Sequence, residues 1–149
     1  MRGFEDLYIT LCRAYTSLQQ EVDGFAKRHQ LSVGHLEILL VANRLGASQG
    51  CIPLKALYPY FGLTQPAIGR LVRYLAYWDY MEVRRDQEDR RRMLIRILPA
   101  GQQVLRHFRE LSRRCLASQD FITLHRALQG LPQLTFVEAC DPLEKASAE

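Results

Sequence analysis

The segment TQPAIGRLVRYLAYW (64–78) is followed almost at once by MEVRR (81–85) and MLIRI (93–97), with DQEDRRR between them. Ile68, Leu71, Val72, Leu75 and Trp78 recur at the spacing of one helical face. Gln65, Pro66, Gly69, Arg70, Arg73 and Tyr77 fall on the opposite face. Thr64 suits an N-cap, and Pro66 falls in the first turn, where its missing N–H costs nothing. The two runs behind the helix read as short strands around a charged turn. A helix with one apolar face must bury it against other elements, and a hairpin this short needs support from a larger body. Few folds satisfy both demands. Gly69 is out of place, since it lowers helix propensity by ~1 kcal/mol relative to Ala. A close approach of the backbone to a ligand would account for it.

The remainder of the chain reads as helix. Phe4, Tyr8, Leu11, Tyr15, Leu18, Val22 and Phe25 alternate by four and three, with His29 next in step. That is a heptad seam on one long helix. It suits burial against other helices, in the same chain or in a second copy. Residues 33–45 continue helical through Leu36, Leu39 and Leu40, and GASQGCIP (46–53) reads as a loop. A short helix over 54–61 follows, and Gly62 suits a left-handed turn. From Pro99 the pattern is helical again, with a second near-heptad seam through Val104, Phe108, Leu111, Cys115 and Ile122. Asp120 suits the cap of a final helix reaching Leu131, and the acidic tail 132–149 has little periodicity, which predicts mobility.

The basic residues are unusual in kind. Seventeen of twenty are Arg, whose planar fork matches phosphates and guanine edges. Residues 64–98 carry a net charge of +3, from eight Arg against five acids, whereas 138–149 carry −3, from four acids against one Lys. Within 84–97 there are six Arg and three carboxylates. Such a cluster is either a solvated turn or a surface for a polyanion. The start of the chain carries Glu5 and Asp6 where a secretory leader needs an apolar core, and no run approaches the ~20 residues of a membrane span. A cytoplasmic protein is the default expectation. Cys12, Cys51, Cys115 and Cys140 are far apart without CxxC spacing, which speaks against a zinc site or a disulfide framework. No HExxH, GxSxG, P-loop or GxGxxG pattern occurs, so neither an enzyme nor a cofactor is expected.

Short helix, turn, amphipathic helix and basic hairpin make a winged helix-turn-helix, an architecture that can show side chains to base edges in the major groove. From Leu31 to Leu105, and most strongly in GLTQPAIGRLVRYLAYWDYMEVRRDQEDRRRMLIRILPAGQQVL, the chain resembles the MarR family of transcriptional regulators. The hallmark wing stands here as Asp86, Asp89, Arg90 and Arg91, followed by ILPAG without a gap. The resemblance implies a mainly α fold with a small β-hairpin wing. The winged helix-turn-helix domain (33–98) would be flanked by dimerisation helices at 4–32 and 99–131. It implies a homodimeric repressor on a pseudo-palindromic operator in double-stranded DNA. Thr64, Gln65, Pro66, Gly69, Arg70 and Arg73 would face the major groove. Arg91 would enter the minor groove, braced by Asp89, with Arg84, Arg85, Arg90 and Arg92 toward flanking phosphates or solvent. Three positions depart from the family pattern. Gly69 stands where Ser or Thr is frequent, Asp79 replaces a Gly after the helix, and Leu98 replaces a capping Thr.

The resemblance also implies release by a small aromatic or phenolic effector, or oxidant sensing at a cysteine near the first helix. Cys12 invites the second reading, with Tyr8 and Tyr15 one turn away on either side, beside the simpler reading of an inert packed thiol. His29 and His35 flank the junction of the first two helices. They suit a ligand cleft, a response to pH or plain helix-end packing. A rival of another class is a winged helix that serves as an architectural, non-sequence-specific DNA binder or as a protein-interaction module.

Overall fold

The computed structural model describes residues 2–119 together with Ile122, Thr123 and Arg126. The elements run α1 (Arg2–Arg28), α2 (Val33–Arg44), β1 (Ile52–Pro53), a 3-10 helix (Leu54–Tyr60), α3 (Gln65–Tyr77), β2 (Met81–Arg85), β3 (Met93–Ile97) and α4 (Pro99–Leu116). Two compact units emerge. One is Val22–Leu111, and the other joins the described residues before Val22 to the described ones from Ser112 on.

Within 22–111 the core is the set of apolar faces expected from the spacing. Leu36, Ile38 and Leu39 of α2, Leu57 of the 3-10 helix and Ile68, Val72 and Leu75 of α3 are buried. Met81, Ile95 and Ile97 of the sheet and Val104 and Leu105 of α4 join them. Trp78 departs from its expected place on the buried face. It caps the C-terminus of α3, is 51% exposed and packs edge-on against Tyr77. Helix starts follow local chemistry. The Thr64 hydroxyl accepts the Ala67 N–H, and Ser32 and His35 form a reciprocal capping box at the start of α2.

Three helix ends close in the same way. Gln30 and Asp79 take φ 57°, and Gly46 takes φ 95°. After each, the next N–H reaches back five residues: Leu31 to Ala26, Tyr80 to Leu75 and Ala47 to Ala42. This satisfies carbonyls that the helix end would leave orphaned. Asp79 holds the turn in place of Gly, as its tolerance of the left-handed region predicts. Gln30 has no such tolerance. The Tyr74 hydroxyl donates to its carbonyl at 2.9 Å, and the Tyr80 hydroxyl donates to the His29 carbonyl at 3.2 Å. Gly62, by contrast, is not left-handed. The 3-10 helix ends through Phe61 in an extended conformation (φ −125°, ψ 134°), so the chain reaches α3 without a reversal there.

The sheet has three strands in the order β1-β3-β2, all antiparallel, where the sequence predicts a two-stranded hairpin. Ile52 pairs with Ile95 and Pro53 with Leu94, so two residues of the expected loop form β1. In the hairpin Met81 pairs with Ile97, Val83 with Ile95 and Arg85 with Met93. Gly101, in the first turn of α4, is buried. A Cβ there would strike the Tyr80 carbonyl oxygen and Ile97, so only glycine fits.

The seam of α1 is divided. In its C-terminal part Phe25 is buried and meets Phe108 of α4 edge-on at 5.4 Å, within the 22–111 unit. In the other unit, Phe4, Tyr8, Leu11 and Tyr15 remain 50–74% exposed. The helix from Pro99 ends at Leu116, with a turn at Ala117, and most of the expected final helix to Leu131 lies outside the described residues. Asp120 and the acidic tail 132–149 lie outside the described residues.

Candidate nucleic-acid interface

The first turn of α3 presents Thr64, Gln65 and Pro66, all exposed. Arg70 and Arg73 follow on the same polar side, also exposed, and Arg73 Nε donates to the Gly69 carbonyl at 3.2 Å. Gly69 itself has no heavy atom within 4 Å of where a Cβ would stand. Nothing inside the chain therefore requires glycine at this position.

The wing turn is held by its carboxylates, though not in the manner the resemblance implies. The Asp86 N–H donates to the Arg92 carbonyl and the Arg92 N–H to the Asp89 carbonyl, both at 2.9 Å. Asp86 Oδ1 accepts the Glu88 N–H and Asp89 Oδ1 accepts the Arg91 N–H, each at 3.0 Å. Asp89 thus fixes the backbone of Arg91 rather than its guanidinium, because a short Asp two residues back reaches the amide first. Asp86 also lies 3.8 Å from Arg92 Nη1. The side chains of Arg90 and Arg91 stay exposed. With the amides of Asp86, Glu88, Arg91 and Arg92 bonded inside the turn, ordering these two arginines on a ligand demands little further ordering of the backbone.

The strand arginines differ from one another. Arg85 is exposed, while Arg96 pairs across the hairpin with Glu82 at 2.8 Å. Arg84 Nη2 donates to the Cys51 thiol at 3.4 Å, a contact across 33 residues that no local pattern announces. That hydrogen bond, more than the nearby Glu82 and Asp86 carboxylates, pushes the Arg84 guanidinium above its usual value. Arg84 is therefore anchored to the loop before β1 and is less free than its neighbours to reach a partner.

The other candidate residues are placed apart from this surface in role. Cys12 is exposed on α1, and its hydrogen bond with Tyr8 pushes that phenol up. His35 is a capping residue, with Nδ1 accepting the Ser32 N–H at 3.0 Å and its ring stacked on Tyr74 at 4.1 Å. Burial lowers its pKa from 6.5. His29 ends α1 between Phe25 (4.5 Å) and His107 (5.5 Å). Burial, then the charge of His107, then that of Arg28 lower its pKa. Among the described residues no three His, Cys, Asp or Glu side chains gather as a metal site, and no helix is long and apolar enough to cross a membrane.

No protein-family model matches the sequence, and no curated protein is significantly similar to it. The fold, however, is that of solved MarR-type winged helices. A crystal structure of a Mycobacterium tuberculosis protein superposes with a TM-score of 0.68 at 20% identity, covering 92% of this chain and 94% of that one. A cysteine-to-serine mutant of MarR from E. coli, complexed with operator DNA, gives 0.58 at 14% identity, covering 84% and 91%. A mutant of S. aureus MepR bound to an oligodeoxyribonucleotide gives 0.57 at 16% identity, covering 94% and 88%.

Proposed function

We propose that the protein is a sequence-specific double-stranded DNA-binding transcriptional regulator of the MarR type, acting as a homodimeric repressor. The observation that carries this reading is the pairing of two surfaces within one compact unit. The polar face of α3 is exposed, and hydrogen bonds inside the wing turn hold its backbone while Arg90 and Arg91 stay exposed. Residues 64–77 read the major groove. Arg91 enters the narrow minor groove, where the potential is most negative. Arg85, Arg90 and Arg92 serve flanking phosphates. The fold's likeness to structures that carry DNA supports the same assignment.

Dimer formation is supported by the divided seam of α1. Phe4, Tyr8, Leu11 and Tyr15 form an apolar stripe too exposed for a helix at rest in water, and a second copy would cover it. A two-fold dimer sets its recognition helices about one DNA turn apart, roughly 34 Å, on a pseudo-palindrome. An open groove beside α2, about 500 Å³ and lined by Leu40, Val41, Tyr60 and Phe61, has the size of a small-molecule site. It has room for an aromatic or phenolic effector.

A second reading, that of an architectural DNA binder without sequence choice, is favoured by Gly69, which removes a side chain from the centre of the reading face. Selection from random duplexes at physiological salt separates the two. The regulator recovers a two-fold motif with half-sites one turn apart. Salt-sensitive binding without enrichment refutes sequence-specific regulation and leaves the architectural role.

A further inference from the structure

We propose that the cavity between the 3-10 helix and the wing is a binding site for a phosphate-type oxyanion. Its volume is about 140 Å³. Lys55, Tyr58, Arg91 and Arg92 line it, with Pro53 and Met93 among the apolar wall. Three basic residues and a tyrosine therefore border one small space, and no carboxylate is among the residues that line it. Basic residues that border one space without a carboxylate among them favour an anion there. Two carboxylates stand near the lining residues: Asp89, which accepts the Arg91 N–H at 3.0 Å, and Asp86, 3.8 Å from the Arg92 guanidinium, an approach too long for a strong paired contact.

Size narrows the ligand. Drug-sized ligands fill roughly 300–1,000 Å³, more than this cavity holds. A water takes roughly 30 Å³, and the cavity fits a tetrahedral oxyanion with few waters beside it. The backbone is prepared for such a ligand. Pro53 is pinned by the pairing of β1 with β3, and the amides of Arg91 and Arg92 are tied to Asp89. Neither Lys55 nor Tyr58 stands out in the sequence, because their meeting with the wing arginines is made by the tertiary fold.

One chemistry has two sources here: a phosphodiester of bound duplex or free inorganic phosphate. The first rests on the proposed regulatory reading, and the second does not. A free anion in this cavity occupies Arg91 and Arg92, so it competes with duplex beyond the effect of ionic strength alone.

The test titrates inorganic phosphate into the full chain, followed by phosphorus NMR, with ionic strength held by chloride. Duplex affinity is measured in parallel as a function of salt. Lys55→Gln and Tyr58→Phe are the variants, Lys55→Arg is the rescue, and thermal melting checks that each is folded. Saturable phosphate binding, weakened roughly 10-fold by Lys55→Gln and restored by Lys55→Arg, supports a free-anion site. No phosphate binding, with a log–log salt slope for duplex that falls by ~1 in Lys55→Gln, assigns the site to a DNA phosphate. Phosphate binding indifferent to both variants overturns the proposal, and so does the absence of both effects. If phosphate binds as described but no duplex does, the site stands and the regulatory reading fails.

Discussion

Replacing Gly69 by Ala separates what this position does for the fold from what it does for a partner. Within the chain, the new methyl meets nothing within 4 Å, so it neither clashes nor packs. The carbonyl of residue 69 still accepts from Arg73. The remaining effect is helix propensity in the interior of α3, worth ~0.8–1.0 kcal/mol in favour of Ala. For a chain of this length, that raises Tm by roughly 3 °C. If the backbone at 69 approaches DNA closely, the same methyl holds the helix off the groove. A lost contact of ~1–3 kcal/mol weakens operator binding roughly 5- to 150-fold. Circular dichroism melting reads the first effect, and fluorescence anisotropy with the selected operator at fixed salt reads the second. A lowered Tm would refute the open surroundings of Gly69. A raised Tm with unchanged affinity would refute the close approach. Tighter binding by Gly69→Ser would show that glycine marks a missing contact instead.

The remaining expectations concern the wing, the histidines and the start of α4. Arg91→Ala should weaken operator binding by ~1–3 kcal/mol and lower the salt slope by ~1, whereas Asp89→Asn should bind like the parent because Oδ1 still accepts the Arg91 N–H. Asp89→Ala should lose part of the affinity, and Asp89→Asn as weak as Asp89→Ala would restore the guanidinium brace. His29 and His35 both have pKa values lowered from 6.5, so the unfolded chain takes up their protons first. Their contribution to stability is complete above pH 6.5 and is lost as pH falls through the lowered values. Urea midpoints measured across that range should fall with pH, and a His29→Gln, His35→Gln double variant should flatten the curve. Gly101→Ala should lower stability by ~1–3 kcal/mol, because its Cβ must displace the Tyr80 carbonyl; a urea midpoint equal to the parent's contradicts that packing.

Local chemistry made much of this fold legible. Thr64, Pro66 and the apolar spacing behind them mark α3 without any tertiary information. The two runs around DQEDRRR mark the hairpin, and Asp79 marks the reversal between α3 and its first strand. Distant pairings were hidden. β1 is only two residues long, and it exists because β3 lies beside it. Arg84 looked like a free cation until Cys51 was brought to it. The α1 seam was visible as a seam, but its division depends on where Phe108 falls. Gly62 misled because an extended Phe61 already ends the 3-10 helix.

The short strand β1 has a consequence for crowding. In β1-β3-β2 the central strand is flanked along its length by β2 and at Leu94 and Ile95 by β1, so further strand pairing falls mainly to the two outer edges. One edge is two residues long and contains Pro53, which has no N–H to offer. The other ends in Arg84 and Arg85, whose like charges would face those of any incoming copy. Wings brought side by side on a polymer are thereby kept from zipping into a shared sheet. The molecule can reach high local density without its most exposed β-structure seeding aggregation.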